Sequence, residues 1–226
     1  HCASKTPVNA KIDKILYDDN VNSLRQILQK ISFDNFVFMS SVSVHGKHNG
    51  LNLDEKSKLN ANEYYGKSKI KCEQLLEKFS NKKKKNVLVL RLPAAVGIKS
   101  HSNFISNLMN VYKQNKANLV TIYNKEDLFN NTIHAEEIYN FIELMINKQN
   151  KILYNVFLLG SKDPIRLKNL ILIYENYFKK NIKLSYKINK TKNNILNLSK
   201  ALKFGFKPLK TSSTILKMLK DNNGVK

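Results

Sequence analysis

The chain reads as an α/β protein with a mostly parallel sheet, of which the visible strands look like part of a larger domain. Three observations predict this. The strand candidates are continuous apolar runs, helical periodicity separates them, and 42% of the 226 residues are hydrophobic. Continuous apolar runs belong to strands covered on both faces, as in parallel sheets. Such a composition supports a sizeable core and excludes a disordered chain.

The elements follow in order. Val21, Leu24, Leu28 and Ile31 recur at helical spacing, with Asn20 as the expected N-cap. The run 36–39 is a short buried strand, 40–46 a small-residue turn and 47–59 a polar loop. A helix starts near Asn60, with Glu63 as capping-box partner, and runs to about Phe79. The strand 87–90 ends at Arg91-Leu92-Pro93. Residues 103–113 form a helix with Phe104, Leu108 and Val111 inward, and 135–146 another with Ile138, Phe141, Ile142 and Met145. A strand at 154–159 precedes Asp163-Pro164, a cap and first-turn proline opening a helix through Leu167, Leu170, Ile171 and Tyr174. A short strand at 184–188, a small helix capped by Ser199 and ended by Gly205, and a last helix from Thr211 with Ile215, Met218 and Leu219 inward complete the chain. Alternating strands and helices argue for a parallel sheet. Only three strands are firm, against about six in a doubly wound domain. The sequence therefore looks like part of a domain.

The formal charge is +22, but Arg25, Arg91 and Arg166 are the only arginines. Nucleic-acid readers lean on arginine for bidentate contacts. Here lysine is scattered, and its densest cluster, 82–85, falls where a solvated loop is expected. No nucleic-acid partner is expected. No segment has the length of a membrane span or the pattern of a signal peptide, so a cytoplasmic protein without membrane insertion is expected. Cys2 and Cys72 form no disulfide or metal framework. No metal cluster and no nucleophile elbow are present. His134 is read as structural, His45 and His101 as loop residues near a cleft, and His48 as lacking any partner pattern.

Chemistry concentrates at Tyr64-Tyr65-Gly66-Lys67-Ser68-Lys69. Tyr65 and Lys69 are four apart and share a helix face, on a stripe that continues through Cys72, Leu76 and Phe79. Polar head groups on an inward stripe are costly without work or partners. A phenol titrates at about pH 10 in water, and a neighbouring ammonium favours phenolate. Such a tyrosine can exchange a proton with a carbinol while hydride moves at the same carbon. Ser41 follows the C-terminal end of a strand, where open α/β sheets bind ligands.

The stretch 36–46 (FVFMSSVSVHG), with Tyr65-Gly66-Lys67-Ser68-Lys69 and Glu73, resembles the extended short-chain dehydrogenase/reductase family, the NAD-dependent epimerase/dehydratase group. Its members carry S-S-x-x-V-Y-G and then Y-G-x-S-K-x-x-x-E. Also similar are His1-Cys2-Ala3 (H-x-A), Asn20-Val21, Arg91-Leu92-Pro93-Ala94-Ala95-Val96-Gly97 (R-x-x-N-V-x-G), Ile133-His134-Ala135-Glu136-Glu137-Ile138 (I-H-V-x-D-L) and Ser199-Lys200-Ala201 through Pro208. The resemblance spans essentially the whole chain and implies a Rossmann-like, doubly wound parallel sheet whose N-terminal strands are missing, with residues 1–100 as the later part of the NAD(P)-binding domain and residues 101–226 mostly as a small C-terminal α/β substrate lobe, at least one strand or helix of which returns to the sheet. It implies an NAD(P)-dependent epimerase or ketoreductase acting on a nucleotide-activated sugar, with NAD favoured and a homodimer expected. It implies Tyr65 as acid/base and Lys69 as the group that lowers its pKa and binds the nicotinamide ribose. Pro93 lies beside them at the cofactor. Ser41 orients the substrate oxygen, with Ser43 and Asn103 also on the substrate.

Departures accompany the likeness. None of the seven glycines forms the G-x-x-G-x-x-G that grips a pyrophosphate. The acidic ribose ligand is not found either, and the chain opens at His1. A fragment beginning after these elements is expected, inactive and aggregation-prone alone. His45 replaces a tyrosine, Ala94 stands near the family's asparagine, and Asn130-Asn131 replaces an Arg-Asp pair whose arginine often holds the diphosphate. Val42 and Ser43 occupy the place of a dehydratase carboxylate, which disfavours dehydration. The alternative reading is a non-catalytic or remnant Rossmann-like binding protein.

Overall fold

The computed structural model describes residues 1–2, 4–6, 13–47, 49–114, 119–148 and 153–223. The chain runs through α1 (Lys14–Lys30), β1 (Asn35–Ser41), a 3-10 turn (Val42–His45), β2 (Asn52–Leu53), α2 (Tyr64–Lys83), β3 (Asn86–Leu92), β4 (Ala94–Val96) and α3 (Phe104–Gln114). It continues through β5 (Val120–Tyr123), β6 (Leu128–Phe129), β7 (Thr132–His134), α4 (Ala135–Asn147), β8 (Tyr154–Leu158), β9 (Ile165–Arg166), α5 (Leu167–Phe178), β10 (Leu184–Lys187), β11 (Ile195–Leu196), α6 (Ser199–Lys203) and α7 (Thr211–Asn223).

Parallel pairing follows from the apolar runs. The main sheet has the order β1-β3-β8 and every pairing in it is parallel. Val87 and Val89 face α1 and α2, packing with Val21, Leu24, Phe38 and Leu76. Leu88 and Leu90 face the other way, into a cluster with Ile133, Phe141, Phe157 and Leu196. Both faces of β3 are thus buried, which is why its sequence does not alternate. Each such aliphatic side chain contributes about 1.5–3 kcal/mol of burial. Along the outer edge of β1, the His1 nitrogen donates to the Val37 carbonyl, and the Met39 N–H donates to the His1 carbonyl. A third cluster joins α3, α5 and α7 through Ile105, Leu108, Leu170, Tyr174 and Ile215. Short pairs β2–β11, β4–β7 and β5–β10 are parallel, and β6–β9 is antiparallel. Among the described residues no helix is long and apolar enough to cross a membrane.

Several boundaries differ from expectation. α1 begins at Lys14, capped by Asp13, because Leu16 extends the apolar stripe backwards. Asn20 is therefore a buried mid-helix residue and not a cap. α2 starts at Tyr64 with Glu63 at its N-cap and no side-chain capping bond. Asn60 instead donates its N–H to the Val44 carbonyl. α2 also extends into the lysine cluster through Lys83. On α3 the inward residues are Ile105, Leu108, Met109 and Tyr112, while Phe104 is exposed. Asp163-Pro164 does not open α5; Ile165–Arg166 intervenes as β9, and Arg166 takes the N-cap position. At α6, Leu198 is the N-cap and Ser199 the first helical residue.

Candidate active site

The polar residues of the helix motif and the strand end converge at the C-terminal ends of β1 and β3. A cleft of about 450 Å³ opens there, and Ser41, Tyr65, Lys69, Pro93, Gly97 and Asn103 are among its lining. Two glycines make the approach of α2 close enough. A Cβ at Gly66 would stand 2.6 Å from both the Ser43 carbonyl oxygen and the Ala61 Cβ. A Cβ at Gly46, where φ is +67°, would meet the Asn60 carbonyl oxygen at 2.1 Å.

Ser41 is buried; its hydroxyl donates to the Ser43 hydroxyl at 3.0 Å and accepts from the Ser43 N–H at 3.1 Å. It also stands near enough to the Tyr65 hydroxyl to favour the phenolate. A hydroxyl proton rotates freely, so this serine can redirect its donor to an arriving oxygen. Lys69 is 4% exposed. Its ammonium donates to the Met39 carbonyl at 2.9 Å and to the Ser4 hydroxyl at 3.2 Å. It also stands over the rings of Phe38 at 4.9 Å and Tyr65 at 5.6 Å. Burial lowers the Lys69 pKa to about 8.

The expected depression of the Tyr65 pKa is not found. Burial raises it, and the nearby Ser41 offsets only part of the rise. The Lys69 ammonium lies over the ring face, and its hydrogen bonds go to Met39 and Ser4. At neutral pH Tyr65 is therefore a phenol.

Pro93 lines the cleft directly after β3. Ser43 does not line it; it is exposed and borders a small neighbouring pocket with Gly46 and Gly66. Asn103 lines the cleft, but its side chain is occupied. Its carbonyl accepts from the Ile105 and Ser106 N–H groups, capping α3, and its amide donates to the His101 carbonyl. Asn130 clamps the Leu196 backbone through both N–H and C=O, and Asn131 donates to the Asn194 carbonyl. His134 is structural: Nδ1 accepts from the Glu136 N–H at the start of α4, so Nε2 carries the proton shared with Asp221 at 2.8 Å. His101 borders the cleft, whereas His45 is buried in the 3-10 turn with Nδ1 3.4 Å from the Lys58 carbonyl. His48 and Ala3 lie outside the described residues. Among the described residues no group of three His, Cys, Asp or Glu could hold a metal ion.

Behind the cleft is a set to which the sequence reading gave no role. Glu73 accepts from Arg91 Nη2 at 2.7 Å and Nε at 3.1 and 3.3 Å, and from the Ser40 hydroxyl at 2.5 Å. Asn20 fixes the Lys5 backbone through both its donor and its acceptor, holding the segment that presents Ser4 to Lys69. A signal for Glu73 was available: it sits one turn beyond Lys69 on the inward stripe, and a buried carboxylate demands a cation.

A family model described as the NAD dependent epimerase/dehydratase family matches residues 1–160. No curated protein matches the chain. Among solved structures, it resembles UDP-glucuronic acid 4-epimerase from Bacillus cereus in complex with UDP-glucuronic acid and NAD, with 17% identity, 97% of this chain and 73% of that chain covered, and a TM-score of 0.81. It resembles UDP-N-acetylglucosamine 4-epimerase from Methanobrevibacter ruminantium in complex with UDP-N-acetylmuramic acid at 17% identity, with 97% and 74% covered and a TM-score of 0.81. RMD from Pseudomonas aeruginosa complexed with NADPH is similar at 17% identity, with 98% and 80% covered and a TM-score of 0.80. At these identities the likeness is one of fold, the Rossmann-type α/β architecture.

Proposed function

The chain belongs to the NAD dependent epimerase/dehydratase family, and from that premise we propose that it acts as an NAD(P)-dependent epimerase or ketoreductase on a nucleotide-activated sugar, with NAD favoured. The observation that carries the reading is the meeting of Tyr65, Lys69 and Ser41 at one end of a parallel sheet. The nucleotide-sugar complexes among the similar structures support the substrate class.

The chain's own residues suit the nicotinamide end of the cofactor. An ammonium has three donors, and Lys69 uses two, on Met39 and Ser4. The third is left for a ribose hydroxyl. Pro93 and the small residues Ala94, Ala95 and Gly97 leave room beside it. When bound, the cofactor takes or returns the hydride at the reacting carbon.

Tyr65 handles the matching proton. As a phenol it donates to a sugar carbonyl oxygen as that carbon is reduced; in the opposite direction the phenolate takes the hydroxyl proton of the carbinol. Ser41 turns its hydroxyl to the same oxygen and holds it beside Tyr65. Lys69 keeps a positive charge next to the phenol, favouring the phenolate when it forms. Among the described residues lining the cleft none is acidic, which favours epimerisation or reduction over dehydration. Replacing Tyr65→Phe in the full-length protein should lower turnover by about 10²–10⁴ while calorimetry shows unchanged cofactor binding. Turnover at the parent level would remove the assignment.

A further inference from the structure

Glu73 and Arg91 stay outside the cleft, yet they tie together the elements that build it. We infer that this buried pair is a positioning device, locking α2 to the ends of β1 and β3 in the one register that sets Tyr65 and Lys69 against Ser41. The inference rests on the reading of those three residues given above.

The argument begins with placement. The Arg91 and Glu73 side chains are 5% and 4% exposed and meet through two guanidinium nitrogens. Ser40 and Arg91 are register partners across β1 and β3, and both donate to the same carboxylate. A single Glu73 carboxylate therefore senses two strands at once. Slipping α2 by one turn, or the strands by one residue, breaks the set.

The spacing along α2 matters as well. Lys69 is anchored at the Met39 carbonyl, and Glu73, one turn further on, at the Ser40 hydroxyl. Consecutive strand residues hold consecutive turns of the helix, and the next strand residue is Ser41. Neighbouring strand side chains point to opposite faces. Ser40 can thus bond Glu73 on α2 while Ser41 bonds Ser43.

Arg91 extends the tie. Its Nη1 donates to the Glu55 carbonyl, and Glu55 Oε1 accepts from the Leu158 N–H of β8. Apolar packing between α2 and the sheet is non-directional and tolerates sliding. A two-pronged guanidinium–carboxylate contact does not. Buried ion pairs are often replaceable by packed apolar residues without loss of stability, which makes register the property to test.

The decisive variant is Glu73→Met with Arg91→Met in the full-length protein, which strands no charge. Expected are an unchanged or higher Tm, a substrate KM close to that of the parent, and a kcat lower by about tenfold or more. Ser40→Ala removes one donor from the carboxylate with little risk to folding, and a smaller fall in kcat at unchanged KM is expected. A kcat equal to the parent's in either folded variant overturns the inference. A crystal structure of the double variant judges it independently of activity: loss of the Lys69–Met39 hydrogen bond is expected, and its retention overturns the inference. Should Tyr65→Phe turn over normally, the reaction reading falls, while the crystal readout still decides whether the pair sets the register.

Discussion

The two walls of the cleft leave different amounts of polar capacity free. On the wall made by β1 and α2, Ser41 and Lys69 carry structural bonds yet keep a rotatable hydroxyl proton and a third ammonium donor, while Glu73 and Arg91, outside the cleft, add the tie between α2 and the strands. On the wall made by the start of α3, Asn103 spends its carbonyl on the cap of that helix and its amide on His101; beyond the cleft lining, Asn130 clamps Leu196 and His134 joins α4 to Asp221 in the same way. The difference teaches that a motif residue is free for chemistry where its structural bonds leave a donor unspent.

The largest effect should come from Lys69→Met, with turnover falling by about 10²–10⁴. It should also raise Tm at neutral pH, because burial disfavours the ammonium and lowers its pKa from 10.5 to about 8. That cost is present in full below pH 8 and is relieved as pH rises towards the ordinary lysine value. Thermal melts at several pH values should show the variant's advantage shrinking above pH 8. A variant that melts lower than the parent at pH 7 would break the contrast. In the parent, kcat/KM should fall on the alkaline side as Lys69 loses its proton, with a midpoint close to its pKa of about 8.

Ser41→Ala should cost about 10²–10³ in kcat and about 0.5–2 kcal/mol of stability, since the Ser43 N–H loses its acceptor. Gly66→Ala adds a Cβ with no space against Ser43 and Ala61. It should destabilise the fold by about 1–3 kcal/mol in denaturant titrations and lower kcat together with it. Asn103→Ala sharpens the comparison from the other wall. It should lose about 1 kcal/mol of stability as a removed cap, with substrate KM little altered. A tenfold rise in KM with an unchanged melt would show that Asn103 acts on the ligand first.

The meeting of Tyr65, Lys69 and Ser41 at one cleft was legible because its signals are local and periodic. A Y-x-x-x-K stripe on a helix and a serine pair at a strand end carry their geometry with them. The parallel strands were legible from their apolar runs. The pKa of Tyr65 was not, since spacing puts Lys69 on the same face but does not say how far burial desolvates the phenol. Nor could spacing show that Asn103 and Asn130 are saturated, because their partners include backbone groups of distant segments. β2, β4, β6, β9 and β11 escaped notice because two- or three-residue strands have no period of their own.

One such pairing shapes how the molecule comes together. In β2–β11, Leu53 is the register partner of Leu196, and the flanking bonds run from Leu51 to Asn194 and from Lys192 to Asn49 across 143 residues. Contacts so far apart in the chain reward closure only after the intervening segments have ordered. This seam should form late in folding, and its amides should be among the first to exchange with heavy water while β3 stays protected. The loop leading from the 3-10 turn into α2 is thus fastened by the last stitch the chain makes.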